Sequence, residues 1–192
     1  MRTIIAGKDD IIIRKMEETE EDFQLFLKWM TDPETMKYWE GMTELFTYDR
    51  VVEQYHEHVE EQVQQCIIEY KKEPIGFCQF CVLNAEYFEV PQEQYTRYVK
   101  ENEVVYGIDM FLGEVSFRNR GIGSDSLRLL AKALFNDYGA DVLMIDPKIH
   151  NVRAIRCYEK VGFQKLFVVA QRELQDGIYH DSQIMGMRKE SF

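Results

Sequence analysis

Arg118-Asn119-Arg120-Gly121-Ile122-Gly123-Ser124 lies between a strand-like run and a helix-like one, and its reading decides the fold. Closely spaced glycines let the backbone bend until successive N–H groups point into one concavity. The start of the following helix adds partial positive charge, and two arginines flank the turn. Such a turn is built to take a pyrophosphate. It is not the six-residue dinucleotide fingerprint, because Arg118 stands at the first glycine's place. Nor is it a P-loop, because no Gly-Lys-Ser/Thr follows. By itself the Gly-x-Gly spacing also fits a structural tight turn.

Working outward, Val104 to Leu112 reads as the preceding strand, and Gly107 inside it predicts a bulge. Ser124 to Asn136 carries Leu127, Leu130, Ala131 and Leu134 on one helical face. Val142 to Ile145 is the continuous apolar run of a strand covered on both sides. Asn151 can cap a helix reaching about Lys160, with Gly162 as its C-terminal cap. Phe163 to Arg188 then reads as two strands around Gln175-Asp176-Gly177. On the N-terminal side, Ile11 to Ile13 begins a strand. Thr19 and Asp22 open a helix bearing Phe23, Phe26, Leu27 and Met30, and Thr47 caps a second one. Cys66–Tyr70 and Pro74–Leu83 are partner strands of a meander. Residues 84–102 are polar, rich in Glu and Tyr, and read as a long loop or an irregular helical excursion. The sum is one α/β domain over residues 1–192, a central mixed and mostly antiparallel sheet flanked by helices.

A chain of 192 residues with 45% hydrophobic residues can bury a real core. Its net charge of −11 is unevenly spread: residues 1–103 hold 11 Lys and Arg against 23 Asp and Glu, whereas the remainder holds 12 against 11. That balance disfavours nucleic acid or an anionic membrane and suits a cationic partner, although acidic helices also keep a protein in solution. Four cysteines in a chain this long form no secreted disulfide framework. Cys78 and Cys81 are three apart in a strand and so face opposite ways, which argues against redox or zinc chemistry. His56, His58, His150 and His180 have no metal-ligand spacing, so no metal is expected. No apolar segment is long enough to span a membrane, and the expected location is the cytoplasm.

Arg-x-x-Gly-x-Gly before a helix, a strand, and then Asn151-x-x-Ala154-x-x-x-Tyr158-x-x-x-Gly162-Phe163 together resemble the GNAT superfamily of acetyl-CoA-dependent N-acetyltransferases. More narrowly, Tyr106-Gly107-Ile108-Asp109, Asp146-Pro147, Asn151–Arg156, Glu73–Phe77 and Tyr38-Trp39-Glu40-Gly41 resemble the aminoglycoside 6′-N-acetyltransferases. The resemblance implies acetyl-CoA as co-substrate and a polycationic amine as acceptor. It places the pyrophosphate on the amides of Asn119, Gly121, Ile122, Gly123 and Ser124, with Arg118 and Arg120 at the edge. It lays the pantetheine arm along Phe111, Leu112 and Gly113, touched from the other side by Asn151 and Ala154. Tyr158 becomes the general acid for the departing thiolate, although its helical face also suits a core aromatic.

Asp109 is a charge in an otherwise apolar strand, which needs a reason. It can hold the acceptor's ammonium and take its proton, or only hold it; a bulge at Gly107 would aim it into the cleft. By family position Asp146 would bind a second ammonium, and an Asp-Pro turn is the alternative. Trp39 can lie along a sugar face, with Glu40, Gln79 and Asp181 as further hydrogen-bond partners. The family segment tends to read aromatic-aromatic-Gly-Gly, and Glu40 departs from it. Other acceptors remain open: a polyamine, a hydroxylated lysine or a peptide amine. So does a non-catalytic acyl-CoA-binding module.

Overall fold

The computed structural model describes residues 2–39, 41–43, 46–88 and 90–192. The expected role of Glu40 therefore lies outside the described residues. Eight strands form one sheet in the order β1-β2-β3-β4-β5-β6-β8-β7. They are β1 Ile4–Lys8, β2 Ile11–Lys15, β3 Gln64–Tyr70, β4 Glu73–Val82, β5 Val105–Leu112, β6 Val142–Ile145, β7 Gln164–Gln175 and β8 Ile178–Arg188. Every neighbouring pair is antiparallel except β5 and β6, which run parallel. The mixed, mostly antiparallel sheet read from the sequence is the one observed.

Alternation along the strands divides the core between the two faces. On one face, Cys78, Phe80, Ile108, Leu143 and Ile145 pack beneath α5 (Ile122–Asn136) and α6 (Val152–Val161). On the other, Ile67 and Phe77 pack beneath α1 (Glu20–Met30), the short α2 (Pro33–Met36) and α3 (Tyr48–Glu60). The cap residues act as their types predict. Thr19, Thr47 and Asn151 each accept a backbone N–H at the start of α1, α3 and α6. A buried network fixes α1 to the sheet: the Arg14 guanidinium donates to both Asp22 carboxylate oxygens at 2.7 Å and, through Nε, to Glu69 at 2.7 Å.

Residues 84–102 contain a 3-10 turn, Glu86–Phe88, and a short helix α4, Gln92–Tyr95. Phe88, Tyr95 and Val99 are buried against Ile184 of β8, Met144 of β6 and the partly buried Phe167 and Val169 of β7. The segment is thus a packed flap as much as a loop.

Two expectations are corrected. The first is the bulge at Gly107. The β4–β5 register runs without a shift from Gly76↔Leu112 to Val82↔Tyr106. The missing side chain instead makes room for Leu83, whose Cδ1 would lie 2.4 Å from a Cβ at this position. The splay that opens the sheet lies elsewhere. The β5–β6 ladder ends at Gly107↔Met144, while β5 continues to Leu112. The second is the start of α5, which begins at Ile122, two residues before the predicted Ser124.

Candidate active site

Where β5 and β6 part, a cleft of about 930 Å³ opens between the carboxyl-side half of β5, the end of β6 and the starts of α5 and α6. Sheets of this kind place ligands at such a divide. The cleft has two ends of opposite character.

One end is the Gly-rich turn. Asn119 at φ 60° and Gly121 at φ 84° bend the backbone through left-handed conformations. The first N–H groups of α5 have no acceptor within the helix. Asn119, Gly121, Gly123 and Ser124 line the cleft, as do Phe111, Leu112, Asn151 and Ala154. Arg153, Arg156 and Lys160, exposed on α6, add positive charge to this end. The sequence reading did not single out these three as ligands; their spacing along an exposed helical stripe was the available signal.

Of the residues assigned to this end, the side chains of Arg120 and Ile122 and the whole of Gly113 do not line the cleft, and Arg118 lines it while making hydrogen bonds within the fold. Ile122, the first residue of α5, turns its side chain into the core while its N–H stays on the turn. Gly113 packs against the indole of Trp29, where a Cβ would lie 2.2 Å from Cδ1. The Arg120 guanidinium lies over the Phe117 ring at 5.5 Å. The Arg118 Nε donates to the Leu112 carbonyl at 2.8 Å and its Nη2 to Thr35 Oγ1 at 2.9 Å. Burial and the nearby Arg153 lower its pKa. These bonds tie α2 to the end of β5.

The other end is acidic. Gln79 and Asp109 face each other across β4 and β5, and Gln79 Nε2 donates to Asp109 Oδ2 at 3.0 Å. Asp146, just beyond β6, has a side chain 14% exposed and pairs with Arg172 of β7 at 3.2 Å. Burial, then the charge of Asp109, push the Asp146 carboxyl up to about 7 despite Arg172. Lys148 is buried, pairs with Glu173 at 2.6 Å and donates to the Trp39 carbonyl at 2.9 Å. Trp39 lines the cleft with its ring edge-on to Phe111, centroids 4.9 Å apart.

Lys148, Arg172 and Glu173 were missed in the sequence. No local pattern marks them; they meet because β7 and β8 return across the end of β6. Asp181 is a correction. It is exposed, does not line the cleft, and accepts the Gln171 N–H at 2.8 Å. Tyr158 stands between the two ends, buried and lining the cleft. Burial first, then the charges of Cys157, Asp109 and Asp146, drive its phenol well above the ordinary tyrosine range, so it keeps its proton.

The four cysteines are free, with Cys66 opposite Cys78 across β3 and β4. Burial, then the nearby carboxylates, push the Cys81 thiol up to about 11, so it is a poor nucleophile. Among the described residues, no group of three His, Cys, Asp or Glu is placed to hold a metal ion. Among the described residues no helix is long and apolar enough to cross a membrane.

Residues 18–170 match the acetyltransferase (GNAT) domain family, and the chain belongs to that family. Over 164 residues, 84% of this chain and 78% of the relative, it is 32% identical to aminoglycoside N(6')-acetyltransferase type 1 of Klebsiella pneumoniae. The structure of AAC(6')-Ib in complex with ribostamycin and coenzyme A superposes with a TM-score of 0.76 at 28% identity, covering 96% of each chain. Spermidine N-acetyltransferase from Vibrio cholerae, at 14% identity and a TM-score of 0.74 over 96% of this chain and 98% of that one, shares the fold.

Proposed function

We propose that this chain transfers the acetyl group of acetyl-CoA to the 6′-amine of an aminoglycoside. One observation carries the reading: a single cleft has a basic amide-lined end, an acidic end, and a protonated phenol between them. The likeness to aminoglycoside 6′-acetyltransferases supports the acceptor class.

The residues at the turn fit the coenzyme. Backbone N–H groups from Asn119 to Ser124 meet the pyrophosphate, and Arg153, Arg156 and Lys160 draw in its charge. The free edge of β5 past Gly107 leaves Phe111 and Leu112 available for the pantetheine amides, because β6 no longer covers it. Asn151 and Ala154 close over the arm from α6. When bound, acetyl-CoA supplies a thioester carbonyl as electrophile and a thiolate as leaving group.

At the acidic end, Asp109 holds the acceptor's ammonium and takes one proton, directly or through a water, so that a neutral amine attacks. The new N–C bond forms as the C–S bond breaks, the Tyr158 phenol gives its proton to the sulfur, and the second proton lost by the attacking nitrogen returns to the phenolate, directly or through a water. Gln79 orients Asp109 through its amide. Asp146, paired with Arg172, lies beside this position, and Trp39 offers an apolar edge to a sugar ring. Bringing both ligands together in one geometry supplies much of the acceleration.

We place the reaction in the cytoplasm, a setting in which four free cysteines persist. We also treat residues 1–192 as one domain, since one continuous sheet joins both ends of the cleft. The test is thiol release from acetyl-CoA with kanamycin, spermidine, hydroxylysine and a lysine peptide as acceptors, followed by location of the acetyl group. Kanamycin acetylated at its 6′-amine is the expected result. Exclusive use of another amine overturns the acceptor, and coenzyme binding without turnover overturns the enzyme.

A further inference from the structure

Asp146 is placed where a second acceptor ammonium is expected, yet a cation from the chain already occupies its side. Arg172 Nε donates to Asp146 Oδ2 at 3.2 Å, and Arg172 Nη2 lies 3.2 Å from the same oxygen. Its Nη1 donates to the Tyr87 carbonyl at 3.0 Å. The guanidinium also lies over the rings of Tyr87, at 4.9 Å, and Phe88, at 5.4 Å. The Arg172 side chain is only 10% exposed, and both Arg172 and Asp146 line the cleft. This cation is therefore seated on three sides by a carboxylate, a carbonyl and aromatic faces, the environment that an ammonium group would itself seek.

The backbone is arranged to present it. The β7–β8 register passes from Val169↔Ser182 to Glu173↔His180, so β7 carries two more residues than its partner over this stretch. Gln171 turns through φ 51° inside the bulge, and the Asp181 carboxylate holds its N–H. A regular strand would alternate through these positions; the bulge re-aims the residue that follows Gln171. Asp181 thus acts on the cleft through the backbone that carries Arg172.

We propose that Arg172, aimed by the Asp181-supported bulge, fills the second-ammonium position beside Asp146 from within the chain and so sets acceptor specificity. Acceptors that bring one ammonium to the reacting end meet Asp109 while Asp146 stays paired. Acceptors that bring two must displace Arg172 from its carboxylate and aromatic seat, or crowd a like charge against it. The inference rests on the aminoglycoside reading and deepens it.

Kanamycin A and kanamycin B test it, because they differ only in a hydroxyl or an amine at the 2′ position of the ring that carries the 6′-amine. The ratio of their kcat/KM values cancels effects on the amines they share. Arg172→Gln is expected to raise the kanamycin B to kanamycin A ratio about fivefold or more. Asp181→Ala, an exposed change, should move the ratio in the same direction by about twofold, and Arg172→Lys, which keeps the charge but loses the guanidinium fork, should move it by less than Arg172→Gln. Melting curves show which variants fold; if Arg172→Gln does not, Asp181→Ala decides. A ratio unchanged in every folded variant, with wild type active, overturns the role of Arg172 alone. A wild type that acetylates neither antibiotic removes the acceptor reading, and this inference with it.

Discussion

The two ends of the cleft are made in different ways. The coenzyme end comes from three short stretches, 111–112, 118–124 and 151–160, each at an element boundary and all but the first set by residue types that dictate their backbone. The acceptor end draws on Gln79, Tyr87, Asp109, Asp146 and Arg172, from segments separated by as many as about ninety residues of chain. A local turn binds by exposing N–H groups that a helix start leaves without partners. A nonlocal charge cluster works by desolvation and mutual repulsion, so its properties depend on every neighbour. Substitutions should therefore affect the ends differently, in both size and kind.

Tyr158, at the junction, should show the largest effect. Tyr158→Phe removes the proton donor and keeps the packing, and kcat is expected to fall by about a thousandfold. Steady-state kinetics should find the KM for acetyl-CoA nearly unchanged; a loss that appears only in KM would break the assignment. At the acceptor end, Asp109→Asn should lower kcat/KM by about a hundredfold. A loss within about threefold, under roughly 1 kcal/mol, would mean that Asp109 is not the base.

The acidic end should also carry a pH signature that the basic end lacks. Asp146 is held at about 7, above its ordinary value of 3.8. Between those values the folded protein keeps a proton that the unfolded chain has released. Its contribution to stability is therefore present at low pH and lost as pH rises through about 7. Asp146→Asn has no such loss. Calorimetry from pH 4 to pH 8 should show the stability gap moving toward the variant by about 4 kcal/mol. A gap independent of pH would place the titration on another group.

The coenzyme end should respond more weakly and in KM. Gly121→Ala forces a side chain into a left-handed conformation at a cost of about 1 kcal/mol, while nothing clashes with it, the nearest atom being Asp125 Oδ2 at 4.0 Å. The KM for acetyl-CoA should rise about fivefold with kcat for a fixed acceptor unchanged. Arg153→Ala, removing one exposed charge, should raise that KM by about threefold and lose its effect in high salt. Equal effects on the acceptor's KM would show that the two ends are not separate.

Most of the fold was legible. Thr19, Thr47, Asn151 and Gly162 mark helix ends because caps answer to their own backbone, and all four stand at those ends. Gly107 misled for the same local reason. A glycine in a strand suggests a bulge, whereas here it yields space to Leu83, a contact no pattern announces. Arg118 was legible as a positive residue beside a turn, but its hydrogen bonds run to Leu112 and Thr35 across the fold. Asp181 reads as a ligand in the sequence, whereas its observed partner is the Gln171 N–H on the neighbouring strand, a contact no local pattern marks.

The sequence by itself determined the order of β2 to β8 and of the longer helices, though not β1 or the short α2, together with the Gly-rich turn and the presence of a charge at Asp109 in an apolar strand. Each follows from backbone preferences and periodicity over a few residues. Only the tertiary structure decided which charges meet. The end of the β5–β6 ladder opens the cleft, and the return of β7 and β8 brings Arg172 to Asp146 and Lys148 to Glu173. Burial then raises the Asp146 and Tyr158 pKa values. Desolvation and pairing are properties of an environment assembled from distant parts of the chain, which no short stretch of sequence contains.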